Sequence, residues 1–187
     1  MDLITPAAPR SAEYGSDGQL LERVLTPYKP HCRYLRSATV TRQGEPRDGG
    51  RVSARGEFGI PESCYIDDTG HFNSVEFNLC FNQLVYYLLA KSVKERAMWP
   101  FSTWTLDEFW ARQLPDILIV DFRSTFRRAM RGRAFWGEID VVGMDERDGD
   151  DGSIALVSTL CRYGEEEMPA CHGGVRLAVR MTRTRAA

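Results

Sequence analysis

Residues 72–90 read FNSVEFNLCFNQLVYYLLA and form the longest apolar segment of the chain. Their apolar side chains point in nearly every direction of a helical wheel, which is typical of a buried helix. Asn82 and Gln83 place two amides in the middle of this segment. A buried amide without a partner costs about 1–3 kcal/mol. These two amides therefore either bond to backbone across a core or face a ligand.

Asn73 and Glu76 mark the predicted start of this helix. An Asn followed three residues later by Glu has the form of a capping box, in which each side chain bonds the backbone of the other residue. A capping box explains Glu76 without catalysis. We favour that interpretation over a catalytic carboxylate.

Strand-like runs lie on both sides of the helix. Two precede it, at residues 33–43 and 51–60, and the turn-rich QGEPRDGG joins them. Four more follow it, at residues 117–128, 134–144, 153–163 and 174–184. The sequence DERDGDDG at 145–152 is the predicted loop between the second and third of these four strands. An antiparallel sheet wrapped around a long central helix buries both kinds of element, so the predicted class is α+β.

The first residues of the chain differ in composition from the rest. Residues 1–18 are rich in Pro, Gly, Ser and Ala, which predicts a flexible N-terminal arm. Residues 19–187 are predicted to form a single domain, beginning with a short helix around Leu20–Leu25.

The overall composition excludes several classes of protein. The chain has 187 residues, 43% of them hydrophobic, and a formal net charge of -2, which offers no basis for binding nucleic acid or a membrane surface. No segment has the length or apolar character of a membrane span or a signal peptide, so we expect a cytoplasmic protein. The five cysteines lack CxxC spacing. We expect reduced thiols and no metal site.

The stretch ESCYIDDTGHFNSVE, residues 62–76, continues to CFNQL at 80–84. It resembles the signature of the FcoT-type acyl thioesterases and of related enzymes in isonitrile-lipid and β-amino-acid polyketide pathways, which add glycine to an enoyl thioester. Leu25–Tyr28 and Phe126-Arg127 extend the resemblance. It implies a hot-dog fold. It also implies an active site of Tyr, His and Asn groups, which stand here as Tyr28, Tyr65, His71, Asn73 and Asn82.

His71 is the predicted acid-base group, because histidine accepts or donates a proton near neutral pH. Tyr65 is predicted to orient the substrate or to donate a hydrogen bond to a developing enolate. Asn82 is expected to anchor the substrate or order a water molecule, and Gln83 to bind substrate beside it. Asn73 has the competing explanation of a helix N-cap.

Addition of glycine also requires a site for the glycine carboxylate, which a guanidinium binds best. Arg127 is the first candidate, because it belongs to the Phe-Arg pair that resembles the family. Arg123 lies on the same strand face, and Arg128 on the other. The alternatives are a solvated basic strand, or a rim that binds the phosphates of coenzyme A or of a phosphopantetheine arm.

The leading hypothesis is an enzyme that adds glycine to the β-carbon of a (2E)-enoyl group on an acyl carrier protein. The hypothesis allows a later hydrolysis at the same site, which would release the N-carboxymethyl 3-amino acid. The alternative is a long- or medium-chain acyl-CoA thioesterase, and a third hypothesis is a non-catalytic acyl-binding protein. The expected partners are an acyl carrier protein or acyl-CoA and glycine. The resemblance also implies a homodimer or larger homo-oligomer. No cofactor is expected beyond the carrier of the substrate.

Overall fold

The computed structural model describes residues 11–44, 51–67, 70–149 and 152–181. Its helices are α1 (Gly18–Leu25), α2 (Ser74–Lys94) and α3 (Leu106–Arg112), with short 3-10 turns at Pro30–Cys32 and Phe101–Thr103. Its strands are β1 (Ser11–Tyr14), β2 (Leu35–Gln43), β3 (Arg51–Phe58), β4 (Ile117–Phe126), β5 (Phe135–Gly149), β6 (Gly152–Gly164) and β7 (Cys171–Met181).

All the strands join in one antiparallel sheet with the order β1-β2-β3-β5-β6-β7-β4. The sheet wraps around α2, and the side chains of Phe77, Leu84 and Leu88 on α2 are fully buried. This is the hot-dog arrangement, and the predicted fold class is confirmed. None of the helices within the described ranges is both long and apolar enough to cross a membrane.

The N-terminal residues differ from the predicted flexible arm. Residues 11–14 form β1, which pairs with β2 in the register Ser11↔Gln43 to Tyr14↔Val40. Asp17 then caps α1, because its carboxylate accepts a hydrogen bond of 3.1 Å from the backbone N–H of Leu20. The ordered chain therefore begins before residue 18, and residues 1–10 lie outside the described ranges.

The two predicted hairpins are present, with one difference in length. β2 and β3 pair as expected, and most of the turn between them, residues 45–50, lies outside the described ranges. β5 and β6 continue to pair as far as Gly149↔Gly152. Most of the predicted loop at 145–152 is therefore strand rather than loop.

An aromatic cluster fixes the start of α2 against the sheet. The ring of Phe72 lies 5.1 Å from that of Phe135 and 5.6 Å from that of Tyr163, measured between centroids. The backbone N–H of Phe72 also donates to the carbonyl of Met130 at 2.8 Å, and that of Ile60 donates to Gly132 at 2.9 Å. The segment that leads into α2 is thus held against residues 130–132.

Candidate functional site

The first turn of α2 brings together two of the predicted site residues. The side-chain oxygen of Asn73 accepts a hydrogen bond of 2.8 Å from the backbone N–H of Val75, so Asn73 is the N-cap of the helix. Its amide nitrogen donates to the hydroxyl oxygen of Tyr65 at 3.1 Å. The side chain of Tyr65 is 51% exposed. Because its oxygen accepts from Asn73, the Tyr65 hydroxyl keeps its own hydrogen to donate to a ligand.

A cavity of about 470 Å³ opens beside this turn. His71, Asn73 and Ser74 line it from the start of α2, and Phe126 and Arg127 line it from the end of β4. The structure therefore brings together His71, Asn73 and Arg127, three of the predicted site residues. We call this space the larger cavity. The N-terminal end of α2 carries a partial positive charge, which favours an oxygen that gains negative charge there.

A groove of about 350 Å³ continues along the exposed face of α2. Tyr28 and Asn82 both line it, together with Val75. Ser74 lines the larger cavity and Val75 lines the groove, so the two spaces adjoin the first turn of the helix. The rise of an α-helix places Asn82 about 10 Å farther along the axis than Val75.

Tyr28 and Asn82 are both partly buried in this groove. Burial raises the pKa of the Tyr28 hydroxyl well above its usual range, so this group stays protonated. Asn82 is only partly buried, and its amide nitrogen donates to the side-chain oxygen of Asn78 at 3.1 Å. Asn82 is therefore placed to contact a ligand in the groove rather than enclosed in the core.

Gln83, the next residue of α2, points into the core and is fully buried. Its side-chain oxygen accepts from the backbone N–H groups of Tyr34 and Leu35, both at 2.9 Å, and its nitrogen donates to the carbonyl of Cys32 at 2.6 Å. Both the oxygen and the nitrogen of this amide therefore bond to backbone groups before and at the start of β2. The prediction that Gln83 binds substrate is wrong for this reason.

Arg123 is the second predicted site residue that lies outside the site. Its side chain is 84% exposed on β4, and its Nε atom lies 3.7 Å from a carboxylate oxygen of Asp121. It lines neither the larger cavity nor the groove. Arg128 lines the larger cavity beside Arg127, and its guanidinium lies 3.4 Å from Glu166.

Glu76 does not form the predicted capping box. Its carboxylate is only 2% exposed, and one oxygen accepts a hydrogen bond of 2.9 Å from the hydroxyl of Ser63. The other oxygen, Oε2, is buried and has no hydrogen-bond partner among the described residues. Glu76 faces a smaller cavity of about 50 Å³, which Ser63 and His71 also line. The local sequence carries no signal for this arrangement, because the spacing of Asn73 and Glu76 also fits a capping box.

The N-cap role of Asn73 leads to a testable expectation. Replacement of Asn73 by alanine should lower the free energy of unfolding by about 0.5–2 kcal/mol, because the N–H of Val75 loses its acceptor. Urea denaturation measures this change. Asn73→Ser is the matched control, since serine also caps helices, and it should unfold near the wild-type midpoint. Equal stability of both variants would contradict the N-cap role.

Comparison with known proteins places these residues in a family context. Residues 23–179 match the family model of the FcoT-like thioesterase domain. The chain is 52% identical over 164 residues to a (2E)-enoyl-[ACP] glycyltransferase of Streptomyces coeruleorubidus, covering 87% of this chain and 96% of the relative. It is 38% identical over 181 residues to a protein of the same name from Mycobacterium marinum, covering 95% of each chain.

Solved structures of low sequence identity also resemble the chain. A protein proposed to be a thioesterase, from Syntrophus aciditrophicus, is 12% identical with a TM-score of 0.48, and the match covers 87% of this chain and 95% of that one.

Proposed function

Because the chain belongs to the FcoT-like thioesterase family, we propose that it adds glycine to the β-carbon of a (2E)-enoyl group carried on an acyl carrier protein. The larger cavity carries this proposal, since it places an ionisable side chain, His71, at the N-terminus of a buried helix. The relatives named (2E)-enoyl-[ACP] glycyltransferase support it, because this chain covers nearly their whole length.

The reaction begins with attack of the neutral glycine amine on the β-carbon. The electron pair of the C=C bond moves toward the thioester carbonyl, whose oxygen becomes negative. The first turn of α2 and the hydroxyl of Tyr65 stabilise that oxygen. His71 then donates a proton to the α-carbon, which gives the N-carboxymethyl 3-aminoacyl thioester.

We assign the rest of the substrate to the surfaces around the larger cavity. Arg127 is exposed at its edge, where it would bind the phosphate of the phosphopantetheine arm. The groove that Tyr28 and Asn82 line would take part of the acyl chain. The reaction forms a C–N and a C–H bond from the C=C bond with no net oxidation or reduction, so we propose no cofactor beyond the arm that carries the substrate. This carrier-bound substrate and the five free cysteines support a cytoplasmic location.

We further propose that the enzyme is a homodimer or a larger homo-oligomer. Tyr65 and Ile66 in the segment before α2, and Val75 in its first turn, expose 51%, 45% and 40% of their surface. Large apolar side chains clustered beside a site are typical of an interface. A second copy of the chain would cover these side chains and close the groove.

The alternative function is hydrolysis of the acyl thioester, which the name of the matching family domain favours. Both reactions use the same cavity, and they differ in whether glycine is required. Hydrolysis after the addition is a further step of this proposal, and it would release the free N-carboxymethyl 3-amino acid.

Mass spectrometry of the products distinguishes these functions. A short 2-enoyl thioester, on carrier protein or on coenzyme A, is incubated with the enzyme with and without glycine. We expect a mass gain of one glycine that depends on both enzyme and glycine. Formation of free enoic acid at the same rate with and without glycine would instead establish a simple thioesterase.

A further inference from the structure

We propose that the smaller cavity is the glycine subsite, with Glu76 as the base that accepts the proton of the glycine ammonium group and Arg131 as the group that binds the glycine carboxylate. This inference rests on the proposed function and extends it, because it names the residues that bind the second substrate. It replaces the sequence-based assignment of the glycine carboxylate to Arg127 or Arg123.

The size of the cavity fits a very small ligand. Its volume is about 50 Å³, whereas a single water molecule needs about 10–15 Å³ of such space. The cavity therefore has room for a molecule of a few non-hydrogen atoms. An acyl chain would not fit there, while the larger cavity beside it has room for the thioester.

Glu76 provides the strongest evidence for a ligand. Its carboxylate is 2% exposed, its Oε1 atom accepts from Ser63, and its buried Oε2 atom has no partner among the residues that the structure describes. A buried polar atom without a hydrogen bond is costly, and its presence in a cavity calls for an explanation. An ammonium group supplies both a hydrogen-bond donor and the opposite charge.

Arginine side chains supply the complementary charge for the other end of glycine. Arg131 and Arg133 both line the smaller cavity. The segment that carries them is fixed, because the backbone N–H groups of Arg131 and Gly132 donate to one carboxylate oxygen of Glu165 at 2.9 and 3.2 Å. Glu62 and Asp67 also line this cavity, which adds negative charge for an ammonium group. A cavity that offers both carboxylates and guanidinium groups selects a small amino acid over a simple amine or a simple acid.

His71 connects the two substrates, because it lines both the smaller and the larger cavity. Glu76 removes one proton from the glycine ammonium, and the neutral amine then forms the new C–N bond. His71 gives one proton to the α-carbon. The proton that Glu76 accepted then moves to His71, which replaces the proton that His71 gave to the substrate. Both side chains return to their starting state, and the hydrogen atoms balance.

Steady-state kinetics of variants with glycine and with methylamine test this inference. Glu76→Gln keeps the shape and an acceptor for Ser63 but removes the base, so kcat/KM for glycine should fall by about 10²–10⁴-fold. The KM for the enoyl thioester should stay within about twofold, because Glu76 does not line the larger cavity. Glu22→Gln on the exposed surface of α1 is the matched control and should keep wild-type kinetics.

Arg131→Gln tests the carboxylate site. The wild-type enzyme should prefer glycine to methylamine, which lacks the carboxylate, and this preference should fall by about 10-fold or more in the variant. Arg127→Gln is the matched arginine control. It should raise the KM for the carrier-bound thioester and leave the ratio of glycine to methylamine unchanged.

The outcomes separate the two proposals. If the wild-type enzyme adds glycine but Glu76→Gln keeps at least a third of its kcat/KM, the subsite is wrong and the proposed function stands. An unchanged glycine preference in Arg131→Gln overturns the carboxylate assignment. If the wild-type enzyme adds no glycine, both proposals fail. Glu76→Asp, in which the carboxylate is drawn back, replaces Glu76→Gln if that variant does not fold, and the same loss is expected.

Discussion

Replacement of His71 by alanine should lower the rate of glycine addition by about 10²–10⁴-fold, because the enolate loses the group that protonates its α-carbon. His71 is exposed and lines the larger cavity beside the N-terminal turn of α2. Its removal leaves the aromatic contacts of Phe72 in place. The fold should therefore survive, and circular dichroism should match the wild type.

The matched control for this variant is His31→Ala. His31 is also exposed, but it lies in the 3-10 turn Pro30–Cys32 and lines neither the larger nor the smaller cavity. The glycine adduct is followed over time by mass spectrometry for both variants. Near-wild-type addition by His71→Ala would remove His71 from the chemistry and leave Tyr65 as the remaining donor for the enolate.

Local sequence predicts the N-cap role of Asn73, because this residue directly precedes the apolar helix. The choice of His71, Tyr65 and Arg127 rests instead on the resemblance to the family, carried by residues 62–76 and by the Phe-Arg pair. The structure places Tyr65 beside Asn73, and it places His71 and Arg127 at the larger cavity.

The same reasoning could not assign Glu76, Asn82 and Gln83, because α2 is apolar on nearly every side. A helix of that kind has no single apolar stripe, so the sequence does not show which face the sheet covers. Asn82 and Gln83 are consecutive, yet one lies partly exposed in a groove and the other is fully buried. Tertiary packing determines which of the two side chains is buried.

The N-terminal strand was overlooked for a related reason. Residues 11–14 read SAEY, which is too short and too polar to predict a strand. They become β1 because β2 offers a free edge with backbone groups to pair. Because β1 forms by pairing with residues 40–43, its own four residues carry little sign of a strand.

Gln83 provides the prediction with the largest expected effect on stability. Gln83→Leu keeps a similar volume but removes the acceptor for the N–H groups of Tyr34 and Leu35 and the donor for the carbonyl of Cys32. Three buried backbone groups are left unpaired at about 1–3 kcal/mol each, so the free energy of unfolding should fall by about 3–9 kcal/mol. That is a large part of the roughly 5–15 kcal/mol that stabilises a typical domain.

Urea denaturation of Gln83→Leu and of its neighbour Asn82→Leu separates a structural amide from one that faces a ligand. Asn82 is partly exposed, and among the described residues its side chain bonds within α2, to Asn78, so its replacement should change stability by less than about 1 kcal/mol. A variant Gln83→Leu that is as stable as the wild type but has a raised KM for the thioester would restore the substrate-binding role first predicted for Gln83. A large loss of stability with an unchanged KM in the remaining folded fraction would establish that Gln83 joins the backbone before β2 to the central helix.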